Sequence, residues 1–437
     1  MNRETAALRP GEQSVLLALQ SLGRASRRQL SLVTGLPRTT LTAAVSGLLE
    51  RGLLVEDEDT APRAGAGRPA TVLHIALANR TVAVVEFGHH VQATTLVSYD
   101  GRVLGRADLP ARAERSMSAV ITGITENIKR MTATPPDSMV VALGMPVLRD
   151  GRGLWHARPH GPGGPSRAAP VPAWRPAGPV PAWMRADPVL ALEAAFMLPL
   201  QVANDANLAA LGEAEHGAAR GARAAVCLSV LRGYGAGIVI NGRLFNGAAG
   251  VAGELAHVSV SEDGTLCACG GRGCLATTPR GHLAHPGDLL AFFDEATGMH
   301  DVLGRAQHDP RAQHYLIDIG RTLAEPLAGF LTLLNPDTLV VDADLGAGAT
   351  FVISGLQAAL RRRVAPPAFQ ALRIVPGELA RHAIAVGGAV LARQRYIEAL
   401  VSPQRRLRTG ESQTRQRQGG SGAGAERTGS AGGLTAL

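Results

Sequence analysis

The chain has 437 residues, 46% of them hydrophobic, enough to bury a sizeable core and to suggest two or three domains rather than one. No uninterrupted apolar run approaches the roughly 20 residues that cross a bilayer, and the N-terminus lacks the apolar stretch of a signal peptide; the expected location is the cytoplasm, with no membrane partner. The formal net charge of +8 invites an anionic partner, yet Lys129 is the only lysine and residues 403–437 alone carry six Arg against two Glu, so net charge by itself says little about nucleic acid.

From residue 12 to about 78, apolar residues run at helical spacing from Val15 to Leu54, then come a polar loop and the strand-like ATVLHIAL. This predicts three helices and a wing. Leu30, Val33, Leu36, Leu41, Val45, Leu48 and Leu49 form the apolar face of two helices that turn at Gly35. Ser26 suits an N-cap and Pro37 the first turn of the second helix. That helix then points Arg38, Thr39, Thr40 and Thr42 away from the core, the placement of a helix that reads a major groove. Gly67-Arg68-Pro69 would hold the Arg68 guanidinium on a narrow wing tip for minor-groove or phosphate contact. A three-helix protein-docking module with a solvated polar face is the alternative.

From Thr81 the pattern changes to short β-rich segments, TVAVVEF and ATTLVS, with Asp100-Gly101 as a hairpin turn. A helix near Arg115 to Met131 and the strand MVVALGM precede a Pro/Gly-rich region, about residues 149–183, which repeats VPAW and reads as an irregular surface insertion. Strand PLQVA, helix NLAALGEAEHG, strand AAVCLSV and a hairpin at Asn241-Gly242 follow. Cys227, inside an apolar run, is expected to be a packing residue. The alternation predicts an α/β unit with a mixed sheet in each of two lobes. The expected domains are 1–78, 79–400 and a disordered Gly/Ser/Gln-rich tail, 401–437.

His257, Cys267, Cys269 and Cys274 form H-x9-C-x-C-x4-C with glycines interspersed. Three thiolates and an imidazole fill a tetrahedral Zn2+ shell and leave no open position, so the ion would be structural. His257 would keep its other ring nitrogen for a ligand. Three reduced thiols in a loop are the bland reading.

These residues, with VANDANLAALGE at Val202–Glu213, the run Asn241–Thr277 and the N-terminal unit ending in Gly67-Arg68-Pro69, resemble the ROK family (repressors, open reading frames and sugar kinases), in its helix-turn-helix repressor branch, over about residues 12–400. The resemblance implies a winged helix-turn-helix followed by a two-lobed actin/hexokinase-like sugar-kinase fold. It implies that Asn204, Asp205, Glu254 and His257 hold the hydroxyls of a sugar-like effector, Asp205 standing at the kinase base position. Taken singly, Asp205 also reads as a helix N-cap and Glu254 as a hairpin carboxylate. Where family kinases have an Asp-x-Gly-Gly-Thr phosphate loop, this chain has Glu86-Phe87-Gly88-His89-His90; near the adenosine, a glycine pair is replaced within Val341-Asp342-Ala343-Asp344. The glycine-rich Gly233–Gly237 segment is retained, and Ala276 replaces a Glu that contacts the sugar ring. The implied protein is a homodimeric or homotetrameric repressor without kinase activity, bound to an inverted-repeat DNA operator. An active hexose kinase fused to a DNA-binding domain, or a regulator answering a non-sugar ligand, are the alternatives.

Overall fold

The computed structural model describes residues 7–58, 71–87, 91–110, 116–148, 188–231, 233–267, 269–278 and 299–402. The insertion at 149–183, the tail beyond Ser402, the wing tip at Arg68 and the histidines His89 and His90 lie outside the described residues. The chain divides into two compact units, Met1–Ala76 with Arg395–Leu437, and Leu77–Gln394.

In the first unit, α1 (Pro10–Leu22), β1 (Arg24–Ser26), α2 (Arg27–Thr34), α3 (Arg38–Glu50), β2 (Leu54–Glu58) and β3 (Thr71–Ile75) make three helices and an antiparallel sheet of order β1-β3-β2. Val15, Leu16, Leu19, Leu30, Leu41, Val45, Leu48 and Leu73 form the core. Ser26 caps α2 as its type and place demand: its hydroxyl accepts the Gln29 N–H while Gln29 Oε1 takes the Ser26 N–H at 2.8 Å. Gly35 ends α2 at φ 67, a left-handed turn that a side chain would strain. Two details differ from the sequence reading. Pro37 is the N-cap of α3, one residue ahead of its first turn, and Val33 is 58% exposed, because α2 has only eight residues and buries a single side chain, Leu30. The buried Glu12 is offset by Arg51 at 3.3 Å and by the Arg9 N–H at 2.8 Å.

The second unit holds two five-stranded sheets of one topology. The first comprises β4 (Thr81–Phe87), β5 (Val91–Ser98), β6 (Val103–Pro110), β7 (Ser138–Leu143) and β8 (Leu200–Asn204), in the order β6-β5-β4-β7-β8. The second comprises β9 (Ala224–Ser229), β10 (Gly235–Ile240), β11 (Arg243–Leu244), β12 (Thr338–Val341) and β13 (Arg373–Pro376), in the order β11-β10-β9-β12-β13. Each is a three-strand antiparallel meander extended by two parallel strands, the mixed sheet per lobe that the alternation predicts. The β10–β11 hairpin turns at Asn241 and Gly242, both at positive φ, as a two-residue loop matching strand twist requires.

Helices cover the sheets: α4 (Met117–Met131) and α5 (Pro188–Phe196) in the first lobe; α7 (Met299–Arg305), α8 (Pro310–Leu334), α9 (Ala349–Arg363) and α10 (Pro366–Ala371) in the second. The stretch Ala343–Arg363 is apolar and long enough on composition to span a membrane, but α9 spends those side chains (Val352, Leu356, Leu360) on the lobe core. Two more helices tie the lobes: α6 (Asp205–His216), which leaves the end of β8, and α11 (Ala383–Val401). They cross backbone to backbone, since a Cβ on Gly387 would stand 1.7 Å from Leu208 O, while one on Gly388 would meet Val84 of β4 at 2.6 Å.

That crossing tolerates no methyl group. Gly387→Ala is expected to lower stability by about 3 kcal/mol in urea unfolding, whereas Gly329→Ala in α8, where a Cβ meets nothing within 4 Å, is expected to be neutral or to gain up to about 1 kcal/mol. Equal effects of the two substitutions would contradict the packing described.

Candidate ligand and metal site

The site is assembled where α6 begins. Asn204, the last residue of β8, caps the helix: its Oδ1 accepts the Asn207 N–H at 3.1 Å and its Nδ2 donates to Met145 O at 3.1 Å. The cap role therefore falls to Asn204 rather than Asp205, and one of the two Asn204 amide N–H groups is spent inside the protein. Asp205 opens the first turn, where the helix dipole favours a carboxylate.

A single strand backbone separates this helix from the other half of the site. A Cβ on Gly237 of β10 would come within 2.3 Å of Ala210 Cβ and 2.7 Å of Ala206 O, so α6 lies directly on the strand. On the other side, Ala236 N–H donates to Gly253 O at 2.9 Å and Ala256 N–H to Tyr234 O at 3.0 Å; Gly253 has φ +89 and a Cβ there would collide with Ala236 O at 1.8 Å. Gly237, of the retained segment, and Gly253 thus serve close packing. The turn after Gly253 presents Glu254 and a short 3-10 segment, Leu255–His257. Burial, with the Asp205 charge adding to it, pushes the Glu254 carboxyl up to about 7. Near neutral pH, Glu254 is populated both as a donor and as an acceptor, which suits a ligand rich in hydroxyls. Asp205 and Glu254 share one field; Glu254 is no exposed hairpin carboxylate.

His257 ends that segment and enters the metal cluster. The ligand atoms of His257, Cys267, Cys269 and Cys274 all lie within 4.8 Å of one another. Cys267 Sγ is 3.5 Å from His257 Nδ1, and Cys269 Sγ is 3.6 Å from Cys274 Sγ. A tetrahedral ion with ordinary bond lengths sets sulfur–nitrogen edges of about 3.6 Å and sulfur–sulfur edges of about 3.8 Å. The donor set fits a metal ion. The chain folds round it through backbone bonds (Cys267 N–H to Gly271 O, Leu275 N–H to Val258 O), and at Gly273, φ +65, a Cβ would strike Ser261 O at 1.7 Å. Burial holds His257 below the usual imidazole range, neutral as a ligand must be. Burial and the neighbouring thiols Cys269 and Cys267 push Cys274 up to about 12, a charge conflict that a divalent cation relieves. Ala276 sits in the 3-10 turn after Cys274 and offers no polar atom beyond its backbone. Cys227 is buried, as expected of a packing residue.

Beside Asp205 runs a cleft also lined by Glu213, Ser229, Asp342, Asp344 and Ala380. Asp342 is buried, which pushes its carboxyl up, and it accepts N–H groups from Val230 (2.8 Å), Leu231 (3.1 Å) and Asp344 (3.0 Å). The carboxylate therefore ties the segment entering Gly233–Gly237 to the end of β12. Glu213 binds the N–H groups of Ala218, Glu378 and Leu379. In the first lobe, Glu86 is buried against Arg106, whose Nη1 also donates to Thr95 Oγ1 (3.1 Å) and Arg381 O (3.3 Å). Sequence reasoning did not single out Glu213 or Arg106; the one signal for Glu213 was a carboxylate on the same helix face as apolar residues.

In the first unit, Arg38, Thr39, Thr40 and Thr42 are all exposed, on the first turns of α3. Thr42 Oγ1 donates to Arg38 O at 2.9 Å.

The ROK family profile matches residues 82–395. The DNA-binding transcriptional dual regulator NagC of Escherichia coli (strain K12) is 24% identical over 401 residues, 89% of this chain and 93% of its own. A crystal structure of a ROK family transcriptional regulator, a homologue of the E. coli MLC protein, superposes with a TM-score of 0.65 at 23% identity, over 90% of this chain and 96% of that one. A ROK family glucokinase from Streptomyces griseus, solved with glucose and AMPPNP, gives 0.56 at 23% identity over 72% of this chain and 99% of that one. The second unit has this α/β, two-lobed, sugar-kinase-like fold.

Metal analysis of the purified protein is expected to find one divalent ion per chain, and Cys274→Ser to lose most of it together with several degrees of Tm. Chelator-washed wild-type protein with no stoichiometric metal and an unchanged Tm would contradict the site.

Proposed function

Because the chain belongs to the ROK family, we propose that it is a cytoplasmic DNA-binding transcription regulator, a repressor, whose sugar-kinase-like unit binds a sugar-derived effector but does not phosphorylate it. The observation that carries the reading is the first turn of α3. There Arg38, Thr39, Thr40 and Thr42 stand exposed behind a helix-turn-helix made of α2, the left-handed turn at Gly35 and α3. In this reading α3 enters the major groove, and β2 and β3 carry a wing with Arg68 at its tip. The likeness to regulators runs over about nine-tenths of the chain, whereas the likeness to the glucokinase stops at 72%.

Asp205, Glu254 and His257 bind the effector's hydroxyls, assisted by the remaining N–H of Asn204, and the cluster of His257, Cys267, Cys269 and Cys274 holds a structural zinc ion, the metal that three thiolates and an imidazole select. Loss of kinase activity is read from the segments that would hold the nucleotide: Glu86-Phe87-Gly88-His89-His90 stands where family kinases have a phosphate loop, and Val341-Asp342-Ala343-Asp344 replaces a glycine pair near the adenosine. A homodimer or homotetramer with two-fold symmetry would read an inverted repeat.

Two outcomes are expected. On a selected operator, Arg38→Ala costs about 1 to 3 kcal/mol and relaxes preference at one base pair per half-site, while Arg68→Ala weakens all sequences evenly; wild-type affinity in both variants would contradict the reading. With ATP and common hexoses, a coupled assay shows no turnover, and rates in the ordinary enzymatic range of about 1 to 1000 per second would favour the fused kinase instead.

A further inference from the structure

Arginines from three segments lie toward the end of the second lobe where β9, β12 and β13 begin. Arg223 precedes β9 and donates its backbone N–H to Asp337 Oδ2 at 2.8 Å; Arg373 opens β13 and donates its backbone N–H to Asp337 O at 3.0 Å. Arg361, Arg362 and Arg363 close α9, and the Arg361 guanidinium lies 5.9 Å over the ring of Phe369 in α10, the helix that leads to Arg373. Arg220 lies in the turn just before Arg223. All six are exposed, and none has a carboxylate partner among the described residues. Within residues 217–224, 330–338 and 361–374 the sole acid is Asp337, already engaged by the Arg223 N–H and the Thr338 hydroxyl.

An arginine-rich last turn is, taken alone, the ordinary complement of a helix dipole. That accounts for Arg361 to Arg363. It does not account for Arg220, Arg223 and Arg373, which come from two other segments, Arg223 and Arg373 each tied to Asp337 through the backbone N–H. Guanidinium groups are planar forks that match phosphate oxygens, and a strip of them lacking counter-charges fits a partner with regularly repeated anions.

We propose that this arginine ledge is a second nucleic-acid contact, which holds the phosphate backbone of duplex DNA without regard to sequence. The inference rests on the reading of the chain as a DNA-binding regulator, and it adds a contact outside the N-terminal unit. Base choice belongs to α3; the ledge contributes affinity and salt dependence, because each neutralised phosphate releases counterions.

The test uses full-length wild-type protein, Arg361→Ala/Arg362→Ala/Arg363→Ala and Arg361→Lys/Arg362→Lys/Arg363→Lys, with circular dichroism to verify folding. Affinity for a random-sequence duplex and for a selected operator is measured between 50 and 200 mM salt. The alanine variant is expected to flatten the slope of log K against log salt by about 2 to 3, with unchanged base preference, and the lysine variant to keep most of the slope. An alanine variant with the wild-type slope and affinity overturns the proposal, including the case in which the ledge serves an acidic protein instead. Wild-type protein that binds no duplex at all would mean that the DNA reading itself has failed, a separate outcome.

Discussion

The site depends on how thin the wall is between two segments that are far apart in sequence. The backbone of β10 at Ala236 and Gly237 is that wall. α6 packs on one side and the Gly253–Glu254 turn hydrogen-bonds to the other, at separations that exclude a Cβ at either glycine. Asp205 and Glu254 consequently lie close enough for one carboxylate to raise the pKa of the other. The metal cluster extends the same turn through His257, so any ion it holds fixes the imidazole beside the two carboxylates.

The fold's internal symmetry explains why the chemistry of such a scaffold is easily redirected. Two sheets share one topology, and loops at strand ends change more readily than the sheets that carry them. In this chain the carboxylates near the strand ends and on α6 have internal partners. Asp342 takes up the N–H groups of Val230 and Leu231, Glu213 those of Glu378 and Leu379, and Arg106 neutralises Glu86. Such groups, once satisfied, rigidify the cleft and leave fewer donors for a phosphate. Arg106 and Glu213 also fasten the segment ahead of α11, the helix that runs against both α6 and β4.

Features set by near neighbours were legible in the sequence. The Ser26 cap, the left-handed turn at Gly35, the Asn241-Gly242 hairpin and the grouping of His257 with three cysteines each rest on a few adjacent residues whose types permit little else. Less legible were features decided by distant partners. Val33 shares the helical period of a core residue, but α2 is too short to cover it. Asn204 and Asp205 both suit a cap, and only the carbonyl of Met145, 59 residues away, selects Asn204. The ties of Asp342 to Val230, Glu213 to Glu378 and Arg106 to Arg381 span 112, 165 and 275 residues, and no local pattern announces them.

The central claim is that occupation of the Asp205–Glu254 site changes the affinity of the first unit for DNA. The most direct measurement is operator binding by wild type and Asp205→Asn, titrated with a panel of hexoses, amino sugars and their phosphates. The account predicts at least one compound that shifts wild-type affinity by several-fold to a hundred-fold, the usual range of coupling between sites, and leaves Asp205→Asn unmoved. Operator affinity that is indifferent to every compound, or that shifts equally in the variant, would contradict it.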